Sequence, residues 1–421
     1  MRFHSTIKDQ QSLKVVIYQN GFAAITEGRT IPAEEQFSEI QLAGIPRTIE
    51  ADSLVIHGLH VLEQNIDNDI PNALKLLERF IGQEISVRNP ATGQKLNMRL
   101  LSAANGIIGE QVDTKEIILN PAGELVLPPM PEGALVEPSI LLKIDPASTA
   151  QNVQLAYLAR GIEWQTSYTA NIRGEALELF GWANIRNDTG ISFCRADVKL
   201  IAGNVYRQLP ERAFSKEAML YASSGNDPQP QEQSFADYYI YPLGQTAELL
   251  NGQLTRFRLL KFQNMPFRKV YEVNKWSECA QVKVKFKCQE AILPKGNIHV
   301  YEEGLDGGLE FIGEGEMAHI PKDEQASFAI GDAFDVLSKS WEAKREKREG
   351  YEYVTHLYEV KNRKKETVRL LIDHDIDEAA WKMETSTHDY EVKNSGKVEF
   401  RVRVPAGKSV RIEFTFKVDK Q

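Results

Sequence analysis

Among the residues able to do chemistry, Glu314, Glu316, His319, Asp323 and Glu324 form one cluster. If 314–316 is extended, the two glutamates share a face about 7 Å apart. An inverting glycosidase uses a separation of this kind for its acid and base. Many strands satisfy the same spacing, and Asp323 and Glu324, being neighbours, face opposite ways. Pro321-Lys322-Asp323-Glu324 also reads as a turn entering a strand at 326–330, with His319 holding it by hydrogen bonds. The segment is either the cleft of a glycan or peptide hydrolase, lined by Glu314, Glu316, His319 and Asp323, or a structural turn. The turn is the simpler reading.

Asp373-His374-Asp375-Ile376-Asp377-Glu378 is the densest acidic group with a histidine. Carboxylates on a wrapped loop suit calcium or magnesium. The glycine and distal glutamate of an EF-hand are absent, so Asp373, Asp375 and Asp377 are expected on a solvated loop without a tight metal. His57 and His60, in a strand, point to opposite faces about 10 Å apart. Zinc–nitrogen bonds of about 2.0–2.1 Å exclude a shared ion there. Trp164, Tyr168, Trp182 and Tyr157 could form an aromatic platform for a sugar or peptide, although large aromatics in strands more often fill a core. Cys194 follows Phe193 in a strand-like run with no visible base, which reads as a small buried thiol. Gly304-Leu305-Asp306-Gly307-Gly308 and Gly313-Glu314-Gly315 read as hairpin turns, since neither joins a strand to a helix with a lysine. Asn187-Asp188-Thr189 fits a glycosylation pattern, but Asp188-Thr189-Gly190 is adequately explained as a turn. There is no nucleophile elbow, His-Glu-x-x-His or Cys-x-x-Cys, and no cofactor is implied.

The elements that must position these residues are strands. Val153, Leu155 and Tyr157 alternate with their neighbours, and 166–172 and 177–184 continue the pattern on either side of Gly174. Asn20-Gly21 between apolar runs is a hairpin signal. Ala73, Leu76, Leu77 and Phe80 at helical spacing predict a short helix over 72–81, stopped by Gly82. Short strands after it suggest a small SH3-like barrel. Residues 336–349 are either a helix or one arm of a long hairpin returning through 351–360, the second being preferred. At the C-terminus Val398 to Val404 and Val410 to Val418 alternate cleanly, one face apolar and one wet. Read as a hairpin, these two strands roughly break even on burial against backbone ordering, so they need a second sheet.

Tyr157-Leu158-Ala159-Arg160-Gly161-Ile162-Glu163-Trp164, Gly181-Trp182-Ala183-Asn184-Ile185-Arg186-Asn187 and Leu200-Ile201-Ala202-Gly203 resemble the signatures of one bacterial family. So do Leu293-Pro294-Lys295-Gly296, Ile312-Gly313-Glu314, His319-Ile320-Pro321-Lys322-Asp323-Glu324 and Gly331-Asp332-Ala333-Phe334-Asp335-Val336. The family is a domain of unknown function shared with the C-terminal part of mucoidy inhibitor A proteins. The resemblance runs over nearly the whole chain and implies a β-rich fold with no established activity. Ser167 and Tyr239 stand where many relatives have Asp and His.

With 421 residues the chain has room for about two to three domains. The expectation is a mainly β protein of several packed antiparallel sheets and sandwiches, with the small barrel and one short helix near the N-terminus. The regions are an N-terminal β region at 1–70, helix plus barrel at 71–130, a central β domain at 131–345 with a mobile loop at 206–233, and an immunoglobulin-like sandwich at 346–421. A net charge of −9 with interleaved signs opposes nucleic-acid binding. No run of about 18 apolar residues exists to span a membrane. Three cysteines and no apolar leader fit a reducing, cytoplasmic setting. The preferred function is a non-enzymatic scaffold or partner-binding protein, with 223–233 and 341–350 as contact elements. A glycan or peptide hydrolase, or a carbohydrate binder without turnover, are the alternatives. The protein partner and the oligomeric state are left open.

Overall fold

The computed structural model describes residues 1–32, 37–67, 73–104, 106–129, 138–145, 152–203, 233–235, 238–289, 291–348, 350–378 and 380–419. The expected loop at 206–233 lies almost wholly outside them. The described residues form 29 strands, one α-helix and two short 3-10 helices. The chain divides into two compact units, 1–163 with 186–254, and 164–185 with 255–421.

The first unit holds three sheets. In the seven-stranded sheet, Gln10–Tyr18 and Phe22–Thr30 form the hairpin turned by Asn20 and Gly21, Gly21 taking the left-handed φ of 78° that such turns need. Asn152–Arg160 pairs with Phe22–Thr30, and Phe193–Ala202 runs parallel to Gln10–Tyr18. A four-stranded sheet contains Arg2–Ser5, Glu39–Ala43, Ser139–Ile144 and Val61–Asp67. Arg29 ties the two sheets together. Its guanidinium is fully buried, donates to the carbonyls of Ala43 (2.8 Å) and Ser5 (3.4 Å), and pairs with buried Glu27 at 3.2 Å. Tyr157 and Gln10 also donate to Glu27. Burial and the Glu27 charge raise the Tyr157 phenol well above its ordinary range.

The helix covers only Ala73–Glu78. Leu77 and Phe80 pack on Ile85, Val87, Met98 and Leu100 of a five-stranded sheet. The expected barrel is not found. Ile117–Leu119 and Glu124–Val126 are the two ends of this sheet and do not pair with each other. With three residues each, these end strands are short for a closing ladder.

In the second unit 13 strands form one continuous sheet that folds over two cores. Two long strands, Gln253–Asn274 and Gln325–Arg348, run through both. Phe262, Ala326 and Phe328 belong to one core, with Tyr168, Leu179 and Ile298. Tyr271, Val273, Ala333 and Val336 belong to the other, with Phe400 and Phe414. Around the first core the sheet curls until Leu309–Met317 lies against Gln325–Arg348. A Cβ on Gly313 or Gly315 would stand 2.0 Å from the Ile330 carbonyl oxygen or 2.5 Å from that of Ala329. These glycines therefore sit inside a strand, where backbones approach closely, and not in the expected hairpin turn.

The second core is a two-layer sandwich. Gln325–Arg348 and Tyr351–Asn362 form a long hairpin, continued by Ser409–Asp419 and Trp381–Ser386. The other layer contains Val368–Asp375, Lys397–Val404 and Tyr390–Asn394. Lys397–Val404 and Ser409–Asp419, expected as a hairpin, lie in opposite layers. Their apolar faces meet across the core, with the Phe400 and Phe414 ring centroids 4.9 Å apart. Parallel pairings among the described residues, including Ile162–Arg173 with Gly296–Glu303 and Gln253–Asn274 with Val368–Asp375, make the sheets mixed rather than purely antiparallel. No helix among the described residues is long and apolar enough to cross a membrane.

Candidate functional site

Alternation along Gly296–Glu303 buries Ile298 and Val300 and turns Asn297, His299 and Tyr301 to the other face. Two ladders then place three cross-strand rows on that face. Glu316, Asn297 and Ser167 form the first row. Glu314, His299 and Thr169 form the second. A register shift between Val300 and Tyr301 brings Phe311 level with Tyr301 and Asn171 in the third. Neighbouring strands are about 4.8 Å apart, so each row is a line of side chains in mutual reach.

The rows are electrostatically paired and partly aromatic. Lys295 pairs with Glu316 at 2.7 Å, and His299 lies 3.6 Å from Glu314. The Phe311 ring packs edge-on to Tyr301 at 5.7 Å and lies 6.3 Å from His299. Phe311 is 55% exposed and Leu309, on the same side of its strand, 46%. Leu305, in the hairpin turn that follows Glu303, is fully exposed. The Asn171 side-chain oxygen is buried and accepts no hydrogen bond.

On the adjoining strands Arg256 stacks over Trp182, its guanidinium carbon 5.0 Å from the ring centroid. Its Nε donates to the Asn184 side-chain oxygen at 2.9 Å, and a terminal nitrogen reaches Ser167 Oγ at 3.3 Å. The Asn184 amide also donates to Ser167 Oγ at 2.9 Å. These hydrogen bonds hold the guanidinium over the indole.

The residues singled out from sequence therefore separate. Glu314, Glu316 and Trp182 stand on exposed-face positions of one sheet. Trp164 and Tyr168 point the other way and are fully buried, with Tyr168 donating to the Pro294 carbonyl at 2.6 Å. The aromatic platform is not assembled, because strand alternation turns Trp164 and Tyr168 inward and Trp182 outward. Asp323 takes a left-handed φ of 66° in a turn held by backbone bonds: its N–H donates to Cys288 O at 2.8 Å, and that of Cys288 to Glu324 O. Burial alone lowers the His319 imidazole. Glu314 and Glu316 share a face, but they stand side by side on one strand, 72% and 58% exposed in their side chains. A glycosidase pair flanks the bond it cuts.

Asp373 and Asp375 lie in a strand, not on a loop. Asp373 pairs with Lys397 at 2.7 Å and Asp377 with Lys275 at 3.0 Å. No group of three or more metal-binding side chains occurs among the described residues. Cys194 is exposed, against expectation. The strand Phe193–Ala202 turns it outward, where a hydrogen bond with Glu248 raises its thiol. Asn187 and Thr189 are buried. The Asn187 amide is spent on the carbonyls of Ile191 and Leu249 at 2.9 and 2.8 Å, which leaves no nitrogen for a glycan.

Sequence reasoning missed a second cluster, inside the sandwich. His374 alternates inward between Asp373 and Asp375. Its Nδ1 lies 2.9 Å from the Tyr358 hydroxyl, and its ring lies 4.4 Å from that of His356. His356 Nε2 is 2.9 Å from Ser340 Oγ, a nucleophile-to-base distance. Burial, helped by Lys275, lowers His356 to about 4. Burial, then His356 and Lys275, lowers His374 to about 3. A base this weak holds little proton affinity at neutral pH. The network is a satisfied core, packed on Phe414.

No protein-family model matches this chain, and no curated protein matches it.

Proposed function

We propose that this chain is a non-enzymatic partner-binding protein and that the sheet face carrying Phe311 receives a protein partner. One observation carries the reading. Leu309 and Phe311 form an exposed apolar centre, packed on half-buried Tyr301, beside the His299–Glu314 and Lys295–Glu316 pairs. An apolar middle within a polar rim is the usual anatomy of a protein interface. Aromatic and arginine side chains dominate binding energy in such surfaces, and Phe311 and the Arg256–Trp182 stack supply both. Carboxylates standing side by side in water make hydrolysis the lesser reading. A single indole already covered by Arg256 does the same for a sugar platform.

The resemblance to the C-terminal part of mucoidy inhibitor A proteins enters as a proposal about fold. Trp164, Tyr168 and Gly181 are core residues. A Cβ on Gly296 would stand 2.2 Å from the Thr166 carbonyl. These motif residues thus brace sheets. Three free cysteines support a reducing, cytoplasmic setting. An immunoglobulin-like description of the C-terminal sandwich belongs to the same proposal.

The test places a photo-crosslinking amino acid at Phe311 and, as a control, at exposed Lys361. A partner adduct from position 311, absent from 361 and lost on Leu309→Ser, is the expected result. Equal adducts from both positions overturn the assignment of this face.

A further inference from the structure

In the sandwich, Tyr390–Asn394 ends its layer. It pairs with Lys397–Val404 and, among the described residues, with nothing on its other edge. All five of its residues are exposed. Tyr390 and Val392 lie opposite Phe400 and Val398, which are fully buried. The strand therefore prolongs the core face beyond the point where the second layer covers it. A groove of about 410 Å³ lies there, lined by Trp381, Met383, Tyr390 and Val392.

The charges on this edge alternate in sign about a centre. Glu391 and Lys393 flank Val392. Although the register with Lys397–Val404 shifts between Val392 and Asn394, Lys393 Nζ still reaches Glu391 at 3.1 Å and Glu399 at 3.2 Å. Both charges therefore stand on one face. An edge lysine normally guards against pairing. Here the guard has its complement two residues away.

We propose that this edge is a self-association site, at which two copies of the chain pair antiparallel about Val392. In that register Val392 meets Val392 of the second copy, and Tyr390 meets Asn394. Glu391 of each copy then faces Lys393 of the other, so both cross-strand pairs are attractive. Opposite charges directly across a strand pair stabilise it and like charges oppose it. A parallel pairing in register sets Glu391 beside Glu391, and a two-residue slip of the antiparallel ladder sets like charges together. The sequence thus selects one register, and the contact is isologous, as a twofold dimer requires. The groove leaves room for the two valines and for Tyr390.

The experiment is sedimentation velocity of the full chain over a concentration series. The wild type is expected to show a concentration-dependent dimer. Glu391→Lys sets lysine against lysine, Lys393→Glu sets glutamate against glutamate, and each is expected to weaken dimerisation about tenfold or more. An equimolar mixture of the two variants restores complementary pairs and should dimerise, as should the double variant Glu391→Lys/Lys393→Glu. A wild type that stays monomeric throughout overturns the proposal. So do single variants that dimerise unchanged, or a mixture that remains monomeric, since local damage is not mended by mixing.

Discussion

Acid should loosen the sandwich of the second unit through His374. The imidazole is 4% exposed and held to about 3, against about 6.5 in an unfolded chain. Between those values the unfolded chain binds a proton that the folded one refuses. Stability therefore falls as pH drops below about 6.5 and levels off below about 3. At pH 4 the difference from pH 7 works out at about 3 kcal/mol for His374 alone. His356 acts in the same direction, but it is only half-buried, and solvent screening makes its share smaller. The charged neighbours of His374 are Lys275, which opposes protonation, and Asp377, which favours it weakly. The assay compares urea midpoints at pH 7 and pH 4 in the wild type and in His374→Gln, which keeps a neutral partner for the Tyr358 hydroxyl. Tryptophan fluorescence follows the transition, Trp381 reporting from its place against Phe416, 6.3 Å between centroids. Acid titration of carboxylates is common to both proteins and cancels in the comparison. The wild type should lose about 3 kcal/mol more than the variant. Equal losses, or a His374 resonance titrating near 6.5 by NMR, would refute the argument.

Other outcomes follow from packing and pairing. Gly313→Ala puts a methyl 2.0 Å from the Ile330 carbonyl oxygen, and should cost roughly 1–3 kcal/mol or more by overpacking, read from thermal melting. Arg29→Met leaves Glu27 buried without its cation and should cost about 3–5 kcal/mol. The double variant Glu27→Gln/Arg29→Met should recover part of that loss in chemical denaturation. Cys194, exposed but held protonated by Glu248, should react slowly with iodoacetamide at neutral pH and faster in Glu248→Gln, while buried Cys288 stays silent until unfolding.

Local patterns were legible and long-range pairings were not. Asn20-Gly21 names its own hairpin because few residues other than glycine accept the backbone it needs. Alternation from Val153 to Asn184 and from Val398 to Val418 identifies strands, because one face of each is wet. The same alternation cannot say what covers the apolar face. Lys397–Val404 and Ser409–Asp419 carry identical signatures for a hairpin and for facing layers, and the structure takes the second. The parallel ladder that sets Ser167 beside Asn297 joins segments more than a hundred residues apart, with no local mark in either. Phe311 reaches the face of Tyr301 through a register shift, which defeats simple parity. Cys194 shows the converse limit, since a strand's composition does not say which residue turns outward. Glu314 and Glu316 were visible as a same-face pair. Their partners, His299 and Lys295, are set beside them by the ladder, which has no mark in the local sequence.

The reactive side-chain types divide into two populations. Glu27, Arg29 and Tyr157, like Ser340, His356, Tyr358 and His374, are desolvated or perturbed, and they mostly spend their hydrogen bonds on one another. They lack access. Glu314, Glu316, His299 and Arg256 are exposed. Catalysis needs perturbation and access in one concave place. On the binding face proposed above, strength would come from rigidity. Strands hold Phe311, Tyr301 and Trp182 in fixed order, and hydrogen bonds pin Arg256 on its indole before any partner arrives. Ordering costs that a loop would meet on binding have already been met in folding.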